Sequence, residues 1–372
     1  MKEIKLRECK EIIKSLGDDV KSYLLNKAKE EKLFIGIRYH KLMIYADGAK
    51  VLTVSEKDGK IIYTTEYDKN EKLEKARKIS SFEELKNDFD NIISSARHIY
   101  EKKIEKICQQ WIISNTNLDE ENDWYYIDME YANQGTNIGR FDMVAISKQK
   151  ISGKHAVRLI ELKVGKDSYS GYWIDEENNG RITSCSDEVK KNKMLKNVKR
   201  HKDIKKDPSL LFTNEDLSFG SGIVGHIIDY LRFLQNKEYY TQLKKNIISI
   251  LGCYKELNIN EVPNIKSENE LEDNPKIIFA LYTHCPEASN KDTIKNQASI
   301  GIPKLKEQLK KFLFNSKGAS KYNLESALDG IRINNNDFNS DLKILLQDMQ
   351  YLFTFSFINP DDSNKNSWSC IK

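Results

Sequence analysis

The sequence predicts an α/β protein with an N-terminal helix-plus-antiparallel-sheet module, a central α/β core and a mainly helical C-terminal extension. Three observations carry that prediction. Apolar and β-branched segments after Leu33 are punctuated by Asp47-Gly48 and Asp58-Gly59, dipeptides that favour tight hairpin turns. A helix-spaced segment beginning at Ser81 is followed by three strand-like runs, then one helix-like and one strand-like run. After Pro286 the apolar positions return to mainly helical spacing.

At 372 residues the chain exceeds one typical domain, so a core of about 150 residues with attached modules is the natural division. The changes of pattern place the boundaries at residues 1–78, 79–285 and 286–372. A charged fraction of 31% with a mean hydropathy of −0.63 indicates a large solvated surface around an ordinary apolar core. Sixty basic residues against 56 acidic ones leave the net charge near balance, so attraction to a polyanion would have to come from local clusters. The N-terminus has no apolar signal core and no run approaches membrane-spanning length, which predicts a cytoplasmic protein without membrane association. Six scattered cysteines without CxxC spacing predict reduced, structural thiols.

In order along the chain, Ile12, Ile13, Leu16, Val20 and Leu24 predict one or two amphipathic helices broken at Gly17-Asp18. The meander that follows closes the first module. Ser81 is an N-cap candidate for one long helix reaching about residue 114. Strands are predicted at 124–132, 140–147 and 155–165, a helix at 220–234, and a buried strand at 275–283. The segments IPKLKEQLKKFLF, NLESALDGI and NSDLKILLQDMQYLF predict helices in the extension, followed by the apolar TFSFI. The strongest basic cluster, residues 190–206 with Lys199 and Arg200, reads either as a solvated helix face or as a phosphate-contacting element.

The chemistry concentrates in RFDMVAIS and HAVRLIELKVG. Glu161 and Lys163 are two apart, so they share one strand face while Ile160, Leu162 and Val164 share the other. Charges inside so apolar a strand cost several kcal/mol unless paired or coordinated. The turn KQKISGK makes the two runs a natural hairpin, which lets Asp142 come alongside Glu161. Two carboxylates suit Mg2+, or Mn2+, which keeps several waters and accepts one or two such ligands. Such a cation neutralises charge building on a phosphodiester, and Lys163 would orient water or stabilise the transition state. A structural salt bridge at a strand end is the alternative.

GRFDMVAI followed by LIELKVG resembles the bipartite motif of the PD-(D/E)XK nuclease superfamily, and the element order over residues 81–283 resembles its core. The resemblance implies a restriction-endonuclease-like fold, with Asp142 and Glu161 as metal ligands and Lys163 as the lysine of the E-x-K element. Phe141 stands where the motif's name has Pro. Activity would be Mg2+- or Mn2+-dependent cleavage of DNA, with a dimer or higher homo-oligomer because cutting both strands needs two sites. The flanking modules make the chain similar to prokaryotic restriction or anti-phage defence nucleases, the Shedu type among them. The family also implies a further acid, for which Glu101, Glu105 and Glu130 are candidates, each with a solvated or strand-capping role as the alternative. His226, with Asp229 or Tyr230 one turn on, would approach the scissile phosphate or, alternatively, be a hydrogen-bonded core histidine. Tyr169, Tyr172 and Trp173, in a polar loop after Lys163, would stack on bases or pack on the domain. Other functional classes stay open: a DNA repair or recombination nuclease, a catalytically silent nucleic-acid-binding or assembly protein, and an effector gated by a ligand of the N-terminal module.

Overall fold

A computed structural model describes residues 6–68, 71–133, 138–164, 186–189, 191–192, 195, 223–282, 339–346 and 349–358. The chain is α/β and divides into two compact units, Met1–Gln134 with Phe141–Leu159 and Thr241–Asp273, and Gly135–Arg140 with Ile160–Tyr240 and Asn274–Lys372. Among the described residues no helix is long and apolar enough to cross a membrane.

The first unit opens with helices α1 (Lys10–Ser15) and α2 (Asp18–Glu30), separated at Gly17 as the sequence predicts. A five-stranded antiparallel meander follows: β1 (Phe34–Arg38), β2 (Lys41–Ala46), β3 (Ala49–Lys57), β4 (Lys60–Asp68) and β5 (Glu71–Ile79). Ala46 pairs with Ala49 and Lys57 with Lys60, so each predicted Asp-Gly is a two-residue turn. Their φ angles, 49° and 80° at Asp47-Gly48 and 53° and 73° at Asp58-Gly59, are the left-handed values that match the twist of paired strands. Alternating burial along β2 and β4 leaves one sheet face for the core, and α3 (Phe82–Tyr100) packs on β3, β4 and β5. Ser81 caps α3 as predicted: its side chain accepts the Glu84 N–H at 3.1 Å, and the Glu84 carboxylate accepts the Ser80 N–H at 2.7 Å.

The long helix predicted from Ser81 is instead two, α3 and α4 (Ile104–Leu118). Glu101, Lys102 and Lys103 are exposed and bring no apolar side chain to the core, so packing does not hold that turn helical. Lys103 leaves helical geometry with ψ 58° while its N–H bonds the Tyr100 carbonyl at 2.7 Å.

Strands β6 (Trp124–Ala132), β7 (Arg140–Ile151) and β8 (Lys154–Val164) match the three predicted runs. Beyond them lie α5 (Ile223–Gln235), α6 (Lys237–Glu256), β9 (Lys276–Tyr282), β10 (Asn339–Leu346) and β11 (Met349–Ile358). The second sheet runs β10-β11-β9-β8-β7-β6, with β9 and β11 parallel and β10 and β11 antiparallel. Residues 339–353, predicted as a helix, are therefore a hairpin. Leu342, Ile344 and Leu346, and then Tyr351, Phe353, Phe355 and Phe357, recur at every second position, which is the strand period. The other two predicted helices of the extension lie outside the described residues, as do Tyr169, Tyr172, Trp173, Lys199 and Arg200.

The first unit is stitched by contacts of long sequence separation. Asp128 on β6, fully buried, accepts hydrogen bonds from Arg7 and, at 2.6 Å, from Arg38. The Arg7 guanidinium also lies 4.5 Å from the centroid of the Tyr131 ring. The Tyr254 hydroxyl on α6 sits 2.7 Å from the Ile35 carbonyl and 3.0 Å from that of Ile127. Cys9, Cys108 and Cys253 are buried and form no disulfide, in keeping with mostly structural thiols.

Candidate active site

The buried acid of the candidate site is Glu161 in the second unit, 4% exposed on β8. Residues Ile160 and Leu162 face the core on either side of it in sequence, and the strand period returns Lys163 to Glu161's face. There the Lys163 ammonium donates to Glu161 Oε1. Helix α5 supplies the rest. Its apolar residues Ile223, Ile227, Tyr230, Leu231 and Leu234 are buried at helical spacing, which turns His226 and Tyr230, four apart, to the same side. The Tyr230 hydroxyl donates to Glu161 Oε2, and His226 Nε2 lies 3.2 Å from Oε1.

Tyr230 is held in place by packing. Its ring centroid is 5.8 Å from that of Phe279 on β9, and Phe279 stacks at 6.4 Å on Phe353 of β11. The C-terminal hairpin strand thus supports the residue that orients the acid. At the entry to β7, Gly139 has a φ of 74°, and a Cβ there would lie 2.2 Å from the Phe233 ring of α5. Only glycine meets both demands.

Burial pushes the His226 pKa below its ordinary value, against the pull of the Glu161 carboxylate, with Lys163 pushing the same way as burial. Its Nε2 nonetheless faces the carboxylate directly. Asp229, one turn along α5, has its pKa pushed up to about 7, chiefly by burial and further by Glu161, against Arg232 and Arg140. Arg232 Nη1 lies 3.3 Å from its carboxylate. Glu161 thus faces the Lys163 ammonium, the Tyr230 hydroxyl and the His226 ring, beside a second carboxyl, Asp229, that ionises reluctantly.

A divalent cation needs hard oxygen ligands, and buried Glu161 is one. Among the described residues no group of three or more His, Cys, Asp and Glu is gathered for a metal. Mg2+, which completes its shell with water and takes one or two carboxylates, needs no such group. Such an ion would meet a Glu161 carboxylate whose two oxygens already accept from Lys163 and Tyr230, and an Asp229 carboxyl already bonded to Arg232.

The structure brings Glu161, Lys163 and His226 together, and of Asp229 and Tyr230 it is Tyr230 that contacts the acid. Asp142 is half-buried on β7 in the first unit. The candidates for a further acid are all exposed and in the first unit: Glu101 ends α3, 4.0 Å from His98; Glu105 is in the first turn of α4; and Glu130 pairs with Lys106. Glu130 has a φ of 56°, a local kink within β6. Sequence reasoning passed over Arg140 and Arg232. Arg232 was legible as a lone cation in an apolar helix three residues after Asp229. Comparisons with protein-family models, with curated proteins and with solved structures found no match.

Proposed function

We propose that the chain is a Mg2+- or Mn2+-dependent nuclease that hydrolyses DNA phosphodiester bonds, with a restriction-endonuclease-like core. The observation that carries this reading is the convergence of Lys163, Tyr230 and His226 on buried Glu161. A strand-end salt bridge needs only a lysine and a carboxylate. Gathering four polar groups at one point, with Glu161 and Tyr230 buried and Lys163 and His226 partly so, costs desolvation that a stable core avoids unless the groups have work to do.

In this reading the cation, when bound, neutralises charge developing on the phosphate. Glu161 anchors it, and Tyr230 fixes the carboxylate's orientation. Lys163, its ammonium already beside Glu161, offsets negative charge at the reacting phosphate and orients the attacking water. Neutral His226 is placed to pass a proton at Nε2. The motif assigns Asp142 to the same chemistry as a metal ligand. DNA is the substrate, and a cytoplasmic homodimer or larger assembly in prokaryotic restriction or anti-phage defence is the setting that the motif and the flanking modules suit.

The test is incubation of supercoiled plasmid, linear DNA and branched DNA with Mg2+, Mn2+ or EDTA, comparing the native chain with Asp142→Asn, Glu161→Gln and Lys163→Ala. Metal-dependent nicking of closed circles that all three variants abolish supports the endonuclease. Activity restricted to ends or branches moves the assignment to repair. No cleavage of any substrate, with no metal bound in calorimetry, removes the enzymatic reading.

A further inference from the structure

Away from Glu161, the first unit contains a cavity of about 350 Å3. Helix α2, the chain leading into β1, the last turns of α4, the start of β6 and the residues after α6 enclose it. Its apolar wall includes Leu25, Leu33, Phe34, Ile113 and Ile259. That volume lies in the range of small-ligand pockets, and a space of that size forfeits packing contacts that protein interiors ordinarily make.

The polar groups around it divide into satisfied and unsatisfied. Tyr254 spends its hydroxyl on the Ile35 and Ile127 carbonyls. Tyr125, set edge-on to Tyr254 with centroids 6.1 Å apart, also lines the cavity and is 6% exposed. Its hydroxyl has no hydrogen-bond partner among the described residues. The hydroxyl is not sealed from the cavity, so a polar atom of a ligand can reach it. Glu120, Glu261 and Lys29 also line the cavity, and all three are exposed. None of them is ion-paired among the described residues. The ammonium of Lys148, close by, is turned to the backbone carbonyls of Asp119 and Glu120 at 3.0 and 3.4 Å. Lys148 is also drawn electrostatically to Asp119, Glu120, Asp123 and Glu261, so four carboxylates against the ammoniums of Lys148 and Lys29 leave the rim with a negative balance.

We propose that this cavity binds a small aromatic amine. Its ring would lie against Leu33, Phe34, Ile113 and Tyr125, a ring N–H or other polar atom would meet the Tyr125 hydroxyl, and its ammonium would sit between Glu120 and Glu261. The rim balance selects a cation over an anion, and the apolar wall selects a ring over a sugar or a nucleotide phosphate. The site lies wholly within the first unit and stands whether or not the chain cleaves DNA.

The experiment is a calorimetric titration of the full chain with tryptamine, set against indole-3-propionate as the anionic counterpart. Saturable one-to-one binding of tryptamine, about tenfold tighter than the propionate, is expected. Glu120→Gln with Glu261→Gln, both on the surface and harmless to folding, should weaken tryptamine about fivefold and leave the propionate unchanged or tighter. Ala28→Trp, which fills the cavity from α2, should abolish binding of both. Should that variant not fold, Tyr125→Phe takes its place and should weaken tryptamine while leaving the thermal midpoint near that of the native chain. Absence of saturable tryptamine binding, equal binding of the two ligands, or indifference to the paired glutamine changes would overturn the proposal.

Discussion

A single hydroxyl decides much at the residue scale. Glu161 is 4% exposed and one of its oxygens is satisfied by Tyr230. Tyr230→Phe keeps the ring on Phe279 but leaves that oxygen short of a donor, a loss of about 1–3 kcal/mol. Urea unfolding of the native and variant chains measures it; an unchanged midpoint would show that the hydroxyl does not hold the acid. Asp229 makes a pH prediction. Its folded pKa of about 7 lies above the ordinary 3.8, so the folded state binds its proton more tightly than the unfolded state does. That contribution is complete below about pH 3.8 and is lost as pH rises through 7. Asp229→Asn retains an oxygen for Arg232 and cannot ionise, so the difference in urea midpoint, variant minus native, should grow between pH 5 and pH 8. The E-x-K pair was legible because strand periodicity puts i and i+2 together. Which α5 residue would touch Glu161 was not, since His226, Asp229 and Tyr230 lie within one turn of helix and only its rotation on the sheet chooses among them.

At the scale of elements, local chemistry was the most readable. The Asp-Gly turns and the Ser81 cap act over two to four residues, and the sequence contains everything they need. Ser81→Ala removes the acceptor of the Glu84 N–H and should cost about 1 kcal/mol, whereas Ser81→Asp should largely restore it. Thermal midpoints of the three proteins test this, and equal midpoints would mean that α3 is held by its packing on β3–β5 alone. Gly139 gives a sharper case. Alanine there meets both a left-handed backbone and the fully buried Phe233 ring, and the strain with overpacking should cost about 1–3 kcal/mol or more. Gly139→Ala combined with Phe233→Leu should recover part of that loss if the clash is the cause. The elements that escaped sequence reading did so for two different reasons. Helix α6 carries buried Tyr240, Leu243, Ile247, Leu251 and Tyr254 at helical spacing, a pattern available in the sequence but passed over. The β10–β11 hairpin holds long apolar runs that fit a helix as well as a strand over short windows, and its pairing with β9, some 70 residues earlier, settles the matter.

The whole molecule is shaped by pairs that no local pattern announces. The first unit gathers three separate stretches of chain, and Asp128 is where two of its distant parts meet the second sheet. Arg7, 2% exposed, has its pKa lowered to about 10, first by burial and then by Arg38, so the two guanidiniums repel and depend on the carboxylate between them. Asp128→Ala would strand both cations, and removing one partner from a buried ion cluster typically costs about 3–5 kcal/mol. Asp128→Asn, isosteric but neutral, should recover little, because it accepts hydrogen bonds without offsetting the charge. Arg7→Met with Asp128→Asn should recover more than either change alone predicts, since it removes the cation that is buried most deeply. Native-state hydrogen exchange distinguishes a network from a local contact. If Asp128 ties β1 and β6 together, Asp128→Ala lowers amide protection in both strands by the same free energy. Protection lost in β6 alone would show that Arg38 and Arg7 find other partners, and that the tyrosine of α6 bridging Ile35 and Ile127, rather than the ion cluster, joins the N-terminal sheet to the rest of the unit.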